Sequence, residues 1–216
     1  MRPPGTGAFA LREIVVATRN PHKLSEVRAI LADAGVRVRG LGDFEGVPEV
    51  VEDRDTFEGN AAKKAEEVAR ATGRTTLADD SGLVVEALGG EPGVLSARYA
   101  GRDGDHAANN AKLLAELAKL EVVDDGKRAA RFVCVIALAR IGRPTRLFRG
   151  ETRGHIARGP KGRGGFGYDP VFESDDLGVT FAEADPPRKN AVSHRGRALA
   201  AFVGALARGE LDGFFD

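Results

Sequence analysis

The chain has 216 residues, of which 42% are hydrophobic and 30% charged, a composition typical of a globular protein long enough to bury a core. Lysine plus arginine and aspartate plus glutamate both number 32, so no overall positive field attracts nucleic acid, and no apolar run reaches the ~20 residues of a membrane-spanning helix. The one cysteine, Cys134, excludes an internal disulfide and lies in an apolar run, which predicts a buried thiol and a reducing, cytoplasmic location.

The first half of the chain alternates apolar runs typical of strands with amphipathic patterns typical of helices. Residues 1–12 lack the apolar segment of a signal peptide and are predicted to form a flexible N-terminal extension. The elements predicted next are a strand at 13–17, a helix at 21–34 ended by Gly35, a helix at 60–72 ended by Gly73, and a short strand at 76–78 that a second strand at 83–88 continues.

The second half predicts a hairpin followed by a long helix. Its predicted elements are a helix at 107–120 with Ala111, Leu114 and Leu117 inward, a central strand at 131–139, an antiparallel strand at 147–156, a short strand at 171–172 and a helix at 194–207. Because strands and helices alternate and one hairpin interrupts them, the fold class is α/β with a mixed sheet.

Two adjacent acids, Asp79 and Asp80, stand between the strand at 76–78 and Gly82. Carboxylates side by side raise each other's pKa, and a cation beside them removes that cost. Hard cations such as Mg2+ prefer carboxylate oxygens and leave room for water and phosphate ligands. The alternative is a solvated turn, because Asp, Ser and Gly all favour turns, and these residues taken alone favour the turn.

The segment Thr18–Lys23 joins the first strand to the first helix. A helix start after a strand offers free N–H groups and the positive end of the helix dipole to an anion. Thr18 and Asn20 can donate hydrogen bonds to phosphate oxygens, and Lys23 adds a positive charge. The alternative is a plain helix cap, since Asn20 before Pro21 is typical of an N-cap and a first helical residue.

A cluster of acids, Glu52, Asp53 and Asp55, precedes the helix that carries Lys63 and Lys64. Acids ahead of a helix ordinarily complement its dipole, and most of them need no other role. One of them would complete a metal site with the Asp79–Asp80 pair, but spacing alone leaves open which one.

Glycines flank two aromatic residues, Phe166 and Tyr168, in the segment 164–170. Aromatic faces stack on a purine, and N–H groups beside glycine can reach nucleobase edges or phosphates. Both rings are hard to assign to the core, which the helices and strands supply. The alternative is a turn with one buried aromatic residue.

Hydrogen-bond donors concentrate at the start of the last helix, where Lys189, His194 and Arg195 lie around a Ser193 cap. Basic residues at a helix start oppose the helix dipole, and an anionic or oxo-bearing ligand would resolve that conflict. The alternative is a solvated basic helix start.

Together these segments resemble the ITPase/HAM1 family of pyrophosphatases from Ile14 to about Leu206. The matching motifs, in order, are Thr18–Glu26 for Ser/Thr-x-Asn-x-x-Lys-x-x-Glu, Thr56–Ala61 with Lys64, Ala78–Leu83, Pro92–Gly101, Gly165–Pro170 and Ser193–Gly196. Any one of these motifs is common, but six in this order are very specific. The resemblance implies a mixed, twisted sheet flanked by helices, with two lobes around an active-site cleft, in a single catalytic domain at 13–210.

The resemblance also implies Mg2+-dependent hydrolysis of ITP, dITP and XTP to the monophosphate and pyrophosphate, cleansing the nucleotide pool, by a homodimer with no nucleic-acid or membrane partner. It implies Glu52 and Asp80 as metal ligands, and Asp80 as proton acceptor for the attacking water with Asp79 in support. The residues implied to bind substrate are Thr18, Arg19, Asn20, Pro21, His22, Lys23, Lys64, Ser81, Phe166, Gly167, Tyr168, Asp169, Lys189, His194 and Arg195. The choice of Glu52 over Asp53 rests on its register with Phe57 and Asn60.

Specificity follows from the nucleobase edge. Hypoxanthine and xanthine carry an oxo group at position 6 where adenine carries an amine. N–H donors of the protein therefore form hydrogen bonds with the first two bases and are repelled by the amine of the third. A buried donor left unpaired costs about 1–3 kcal/mol. Two other functions stay open: a related pyrophosphatase for modified pyrimidines or standard nucleotides, and a non-catalytic nucleotide-binding protein, against which the intact acids and Lys23 argue.

Overall fold

The computed structural model describes residues 12–120 and 128–215 and contains a six-stranded mixed sheet with helices on both faces. Apart from Arg12, the extension predicted at 1–12 lies outside the described residues. The strands are β1 (Arg12–Val16), β2 (Val36–Gly40), β3 (Thr76–Val85), β4 (Ala129–Ala139), β5 (Arg146–Ile156) and β6 (Phe172–Ser174). The helices are α1 (Pro21–Leu31), α2 (Phe57–Thr72), α3 (His106–Lys119), α4 (Pro186–Val192) and α5 (His194–Ala207).

The sheet has the strand order β2-β1-β3-β4-β5-β6, which confirms the predicted mixed sheet. β1 is parallel to both β2 and β3, and every later pairing is antiparallel, including the predicted β4–β5 hairpin. β1 pairs with β3 only as far as Leu77, whereas β4 pairs with β3 from Thr76 to Val85. The acid pair therefore lies where β3 runs on beyond its parallel neighbour.

The acid pair lies inside a strand, so both the solvated turn and the predicted break between 78 and 83 are wrong. Asp79 is opposite Ile136, and Asp80 is opposite Val135, in one continuous ladder with β4. Pairing with the most apolar strand of the chain outweighs the local turn preference of Asp-Ser-Gly, because strand preference depends on the packing context.

The helices differ from their predicted bounds where local signals are weak. α1 ends at Leu31 instead of 34, with a turn leading to Gly35 at φ 66°, and α2 begins three residues early at Phe57. In α3 the predicted inward face is partly wrong, because Leu113 is buried and Ala111 is exposed. β2 and α4 were not predicted at all.

Three apolar clusters fill the space around the sheet. α1 and α5 cover one face, around Leu77 and Ile136, and α2 covers the other, around Ala78 and Val135. A third cluster surrounds the far part of β3 and β4 and includes residues of α3 and β6. Cys134 is fully buried, as predicted. Within the described ranges, no helix combines the length and apolarity needed to cross a membrane.

Candidate active site

A cavity of about 530 Å3 opens beside β3, between the start of α1, the segment before α2 and the start of α5. It collects most of the predicted site residues from segments that are distant in the sequence. The predicted residues that line it are Thr18, Arg19, Asn20, Lys23, Glu52, Lys64, Asp80, Ser81, Phe166, Gly167, Tyr168, Asp169, Lys189, His194 and Arg195. Asp79, Pro21 and His22 are not among the residues of its wall.

Asp80 lines this cavity with a buried carboxyl group. Its side chain is 5% exposed, and its Oδ1 accepts a hydrogen bond from the Ser81 backbone N–H at 2.9 Å. Its Oδ2 is buried without a hydrogen-bond partner among the described residues. Burial raises the pKa of Asp80 to about 6, although the ammonium of Lys64 acts in the opposite direction. The carboxyl can therefore hold or release a proton near neutral pH.

The structure distinguishes the two acids that the sequence left open as partners of Asp80. Glu52 lines the cavity, and its carboxylate is ion-paired with Lys64 of α2. Asp53 is outside the cavity wall, and it pairs at 2.8 Å with Lys63 on the surface. Position thus favours Glu52 as the second carboxylate.

The donor set fits a hard divalent cation. An unpaired buried oxygen on Asp80 beside a Glu52 carboxylate offers two oxygen ligands and leaves the remaining positions to water and phosphate, as Mg2+ requires. In the described part of the chain, no group of three or more His, Cys, Asp or Glu side chains forms a complete cage. Mg2+ therefore stays a prediction, and its site would need oxygens from the substrate.

Asp79 lies behind the cavity wall and anchors two cations that line the cavity. Its buried Oδ2 lies 3.1 Å from Lys23 Nζ and 2.9 Å from Arg195 Nη2. Burial acts to raise the pKa of Asp79, but Lys23 and Arg195 lower it well below the usual value. The group is permanently ionised, so it can position these two side chains but cannot serve as a proton acceptor at neutral pH.

Glu26 of α1 is a site residue missing from the substrate-binding set predicted from the sequence. Its carboxylate binds Lys189 Nζ at 2.8 Å and also pairs with Arg195. Lys189 has a second buried partner, Asp169 Oδ2, at 2.8 Å. Internal carboxylates therefore compensate the basic start of α5, and the external anion that the sequence pointed to is not needed for that purpose.

Of the residues predicted to bind phosphate at the start of α1, Asn20 acts as the helix cap instead. The Asn20 side chain accepts hydrogen bonds from the backbone N–H groups of His22 and Lys23, at 2.9 and 3.2 Å. Those two donors are thus unavailable to an anion, and the alternative of a plain N-cap describes Asn20. Lys23 still faces the cavity, with an ammonium that Asp79 holds in place.

The two aromatic residues of the glycine segment have different roles. Tyr168 is 4% exposed, packs in the third apolar cluster and donates its hydroxyl to the Ser96 carbonyl at 2.9 Å, so its exclusion from the core was wrong. Phe166 is half-buried and lines the cavity. The His22 ring stacks on it at 5.4 Å between centroids, and the Lys189 ammonium lies 5.1 Å from its centroid. Of these two aromatic residues, Phe166 is therefore the one whose ring is placed to contact a ligand in the cavity.

His194 is a buried, neutral residue in the wall of the cavity. Burial, together with the charges of Arg195 and Lys189, lowers its pKa well below the usual value. Its ring stacks on Phe132 at 4.6 Å, and its Nδ1 is buried without a hydrogen-bond partner in the described ranges. A neutral imidazole with an open nitrogen suits recognition of a nucleobase edge better than binding of phosphate.

Sequence reasoning also missed Arg98, His106 and Asn109, which line the cavity from the segment 96–109. Arg98 lies in the fourth of the matched motifs, Pro92–Gly101, so its motif was noticed although no role was drawn from it. His106 and Asn109 sit in the first turn of α3, where no local pattern distinguishes a cavity-lining residue from a surface residue.

Comparison with known proteins confirms the resemblance. The family model described as the Ham1 family matches residues 14–205. A relative from Geobacillus kaustophilus named dITP/XTP pyrophosphatase is 51% identical over 88% of this chain and 91% of its own length. A relative of the same name from Geobacter sulfurreducens is 53% identical over 88% of this chain and 94% of its own length. The solved structure of a HAM1 protein from Coxiella burnetii superposes with a TM-score of 0.82 at 41% identity, covering 91% of this chain and 99% of its own.

Proposed function

This chain belongs to the Ham1 family, and on that premise we propose that it hydrolyses noncanonical purine nucleoside triphosphates (ITP, dITP and XTP) to the monophosphate and pyrophosphate. Its relatives at about half identity over most of the chain are named dITP/XTP pyrophosphatase, which supports this reaction class and substrate class. The observation that carries the proposal is that Asp80, which has a buried carboxylate oxygen without a partner among the described residues, lines the same cavity as Phe166, His194 and Arg195.

The phosphate end of the cavity would hold Mg2+ on Asp80 and Glu52. When bound, Mg2+ would neutralise phosphate charge and orient the phosphate chain for attack. Lys23 and Lys64 add positive charge on the same side, each steered by a carboxylate. The pKa of Lys64 is raised because Glu52, Asp79 and Asp80 outweigh the effect of burial, so its ammonium stays charged.

Asp80 is the residue that would take the proton from the attacking water. A pKa of about 6, raised by burial, makes it a stronger base than an ordinary carboxylate and leaves it mostly ionised at pH 7.5. Asp79 cannot share this role, because Lys23 and Arg195 hold its pKa far below neutral pH. Its part is to fix Lys23 of α1 and Arg195 of α5 through one shared carboxylate oxygen.

The nucleobase end of the cavity would select a 6-oxo purine. Arg195 and Lys189 are cations held by buried carboxylates, so their remaining N–H groups are pre-oriented donors. An oxo group at position 6 accepts such a donor, whereas the amine of adenine leaves it unpaired. Phe166 would provide the stacking face beside them.

The test is a panel assay of the purified protein with Mg2+ against ITP, XTP, GTP, ATP and dUTP, measuring pyrophosphate and orthophosphate separately. We expect pyrophosphate from ITP and XTP, and at least ~10-fold less from ATP, from the cost of one unpaired donor. GTP carries the same 6-oxo group, so the equally low turnover expected for it has to come from its 2-amino group, which neither ITP nor XTP carries. Equal turnover of all five nucleotides would contradict the selectivity. Tight ITP binding without turnover would identify a non-catalytic nucleotide-binding protein instead.

We also propose that the enzyme acts in the cytoplasm as a homodimer. A single free cysteine that is fully buried agrees with a reducing compartment. Light scattering tests the assembly: twice the chain mass of 22.8 kDa is expected, and the mass of one chain would contradict a homodimer. Cell fractionation tests the location, and recovery with the membrane or secreted fraction would contradict it.

A further inference from the structure

We propose that Arg98 is a further substrate-binding residue, whose guanidinium binds the terminal phosphate oxygens of the nucleoside triphosphate. This inference rests on the proposed function for its substrate class, and no role had been drawn for Arg98 from the sequence. Arg98 lines the cavity beside Glu52, to whose backbone carbonyl its Nη2 donates at 3.3 Å. That contact places its charge at the same end as the carboxylates that would hold Mg2+.

The cations of the cavity wall differ in whether a carboxylate pairs with them. The basic side chains that line it are Arg19, Lys23, Lys64, Arg98, Lys189 and Arg195. Four of them are ion-paired with buried or half-buried carboxylates. Arg19 and Arg98 form no ion pair with a carboxylate of the described residues and contact backbone carbonyls only. The guanidinium groups of these two arginines are therefore the cations of the wall that no carboxylate of the described residues engages in an ion pair, and they remain available to phosphate oxygens.

The segment carrying Arg98 is held rigidly. Arg98 ends a short 3-10 helix at Gly93–Arg98. The buried Asn109 side chain bonds the backbone on both sides of it, donating to the Ala97 carbonyl at 3.0 Å and accepting from the Ala100 N–H at 2.7 Å. A long charged side chain on such a fixed support loses less conformational entropy when it binds a ligand.

The guanidinium of Arg98 has spare hydrogen-bonding capacity. Arginine carries five N–H donors in a planar fork that matches phosphate oxygens two at a time. Arg98 uses one donor, in a long bond to a neutral carbonyl, and no other partner occurs in the described part of the chain. Arg98 is half-buried, whereas Arg19 is exposed, so a phosphate bond to Arg98 is better shielded from water.

The test measures direct binding of inorganic tripolyphosphate by calorimetry in EDTA, for the wild type, Arg98→Gln and Arg102→Gln. Arg102 is an exposed arginine four residues away that does not line the cavity, which makes it the matched control. We expect the Kd to rise ~10-fold or more in Arg98→Gln, as the loss of a charged hydrogen bond predicts, and to stay unchanged in Arg102→Gln. Equal Kd values in all three proteins would overturn the proposal.

A second measurement separates phosphate binding from support of Glu52. If Arg98 acted only through the Glu52 carbonyl, Arg98→Gln would raise the Mg2+ concentration for half-maximal ITP turnover and leave the tripolyphosphate Kd unchanged, which contradicts the proposal. Arg98→Lys keeps the positive charge but loses the planar guanidinium. We expect its tripolyphosphate Kd to lie between that of the wild type and that of Arg98→Gln. If the wild type turned over neither ITP nor XTP while Arg98→Gln still weakened tripolyphosphate binding, the proposed function would fail and the Arg98 site would stand.

Discussion

Asp79 and Asp80 are neighbours in the chain, but they occupy opposite faces of β3 because side chains alternate along a strand. Asp79 faces α1 and α5 and meets two cations, Lys23 and Arg195. Asp80 is on the side of α2 and lines the cavity, and one of its oxygens has no partner within 12–120 and 128–215. Their pKa values are therefore displaced in opposite directions, which assigns positioning to the first carboxylate and proton transfer to the second.

Asp80→Asn should remove activity and increase stability. The pKa of Asp80 is higher in the folded chain, at about 6, than the ~4 of an unfolded chain, so the folded state loses stability as pH rises between these values. Asn keeps the acceptor for the Ser81 N–H and has no charge to bury. In EDTA, urea unfolding should show a gain of roughly 1–3 kcal/mol at pH 7.5 and little gain at pH 4. A loss of stability at pH 7.5, or the same gain at both pH values, would refute this environment for Asp80.

Asp79→Asn should have the opposite effect on stability. It leaves the buried charges of Lys23 and Arg195 without their shared oxygen, and breaking a buried ion pair from one side costs roughly 3–5 kcal/mol. Urea unfolding at pH 7.5 should show that loss, with Asp80→Asn as the isosteric control one residue away. Wild-type stability in Asp79→Asn would show that its ion pairs do not support the fold.

At the scale of elements, β3 positions the site because it carries both acids and passes close to the segment of Arg98. Gly82 permits this approach, since a Cβ at that position would meet the Gly93 carbonyl, the Ser96 hydroxyl and the Phe57 ring. β3 can therefore pack against the 3-10 helix only without a side chain there.

Gly82→Ala should destabilise the protein by roughly 1–3 kcal/mol, because two backbone segments must move apart. The matched control is Gly42→Ala, since a Cβ at Gly42 meets no atom within 4 Å and its φ is not in the left-handed region. The unfolding midpoints of both variants and the wild type provide the comparison. Equal midpoints for the two variants would show that the close approach at Gly82 is not required.

Elements with strong local signals were predictable, and those that depend on distant contacts were not. α5 begins at His194 and ends at Ala207, as predicted, because a Ser193 cap and an apolar face mark it in the sequence. The strand character of Asp79–Gly82 is imposed by β4, more than fifty residues away, and the local residues favour a turn. β2 alternates valine and arginine at Val36–Arg39, a signal that was present in the sequence and was overlooked.

At the scale of the molecule, alternating charges connect the phosphate and nucleobase sides of the site. The connected side chains, in order, are Lys23, Asp79, Arg195, Glu26, Lys189 and Asp169. Five of the six were among the predicted site residues, whereas Glu26 was given no role although it ends the matched segment Thr18–Glu26. The role of Glu26 was not predictable, since its partners lie more than 160 residues away in the chain.

Part of the candidate site could be predicted from the sequence, and part depends on side-chain directions that only the structure shows. The family resemblance implied Asp80, Lys64 and Glu52 as residues of one site, and all three line the cavity. The resemblance could not show that Asp79 lies outside the cavity lining, that Asn20 is occupied as a cap, or that Arg98 has no carboxylate partner among the described residues. Those facts depend on side-chain direction and pairing across the fold.

The most direct test of the whole account is to quantify all products of ITP with Mg2+, side by side for the wild type and Asp80→Asn. We expect inosine monophosphate and pyrophosphate in equal amounts from the wild type, and no turnover from Asp80→Asn although it still folds and binds ITP. Inosine diphosphate with orthophosphate from the wild type, or wild-type turnover by Asp80→Asn, would contradict that expectation.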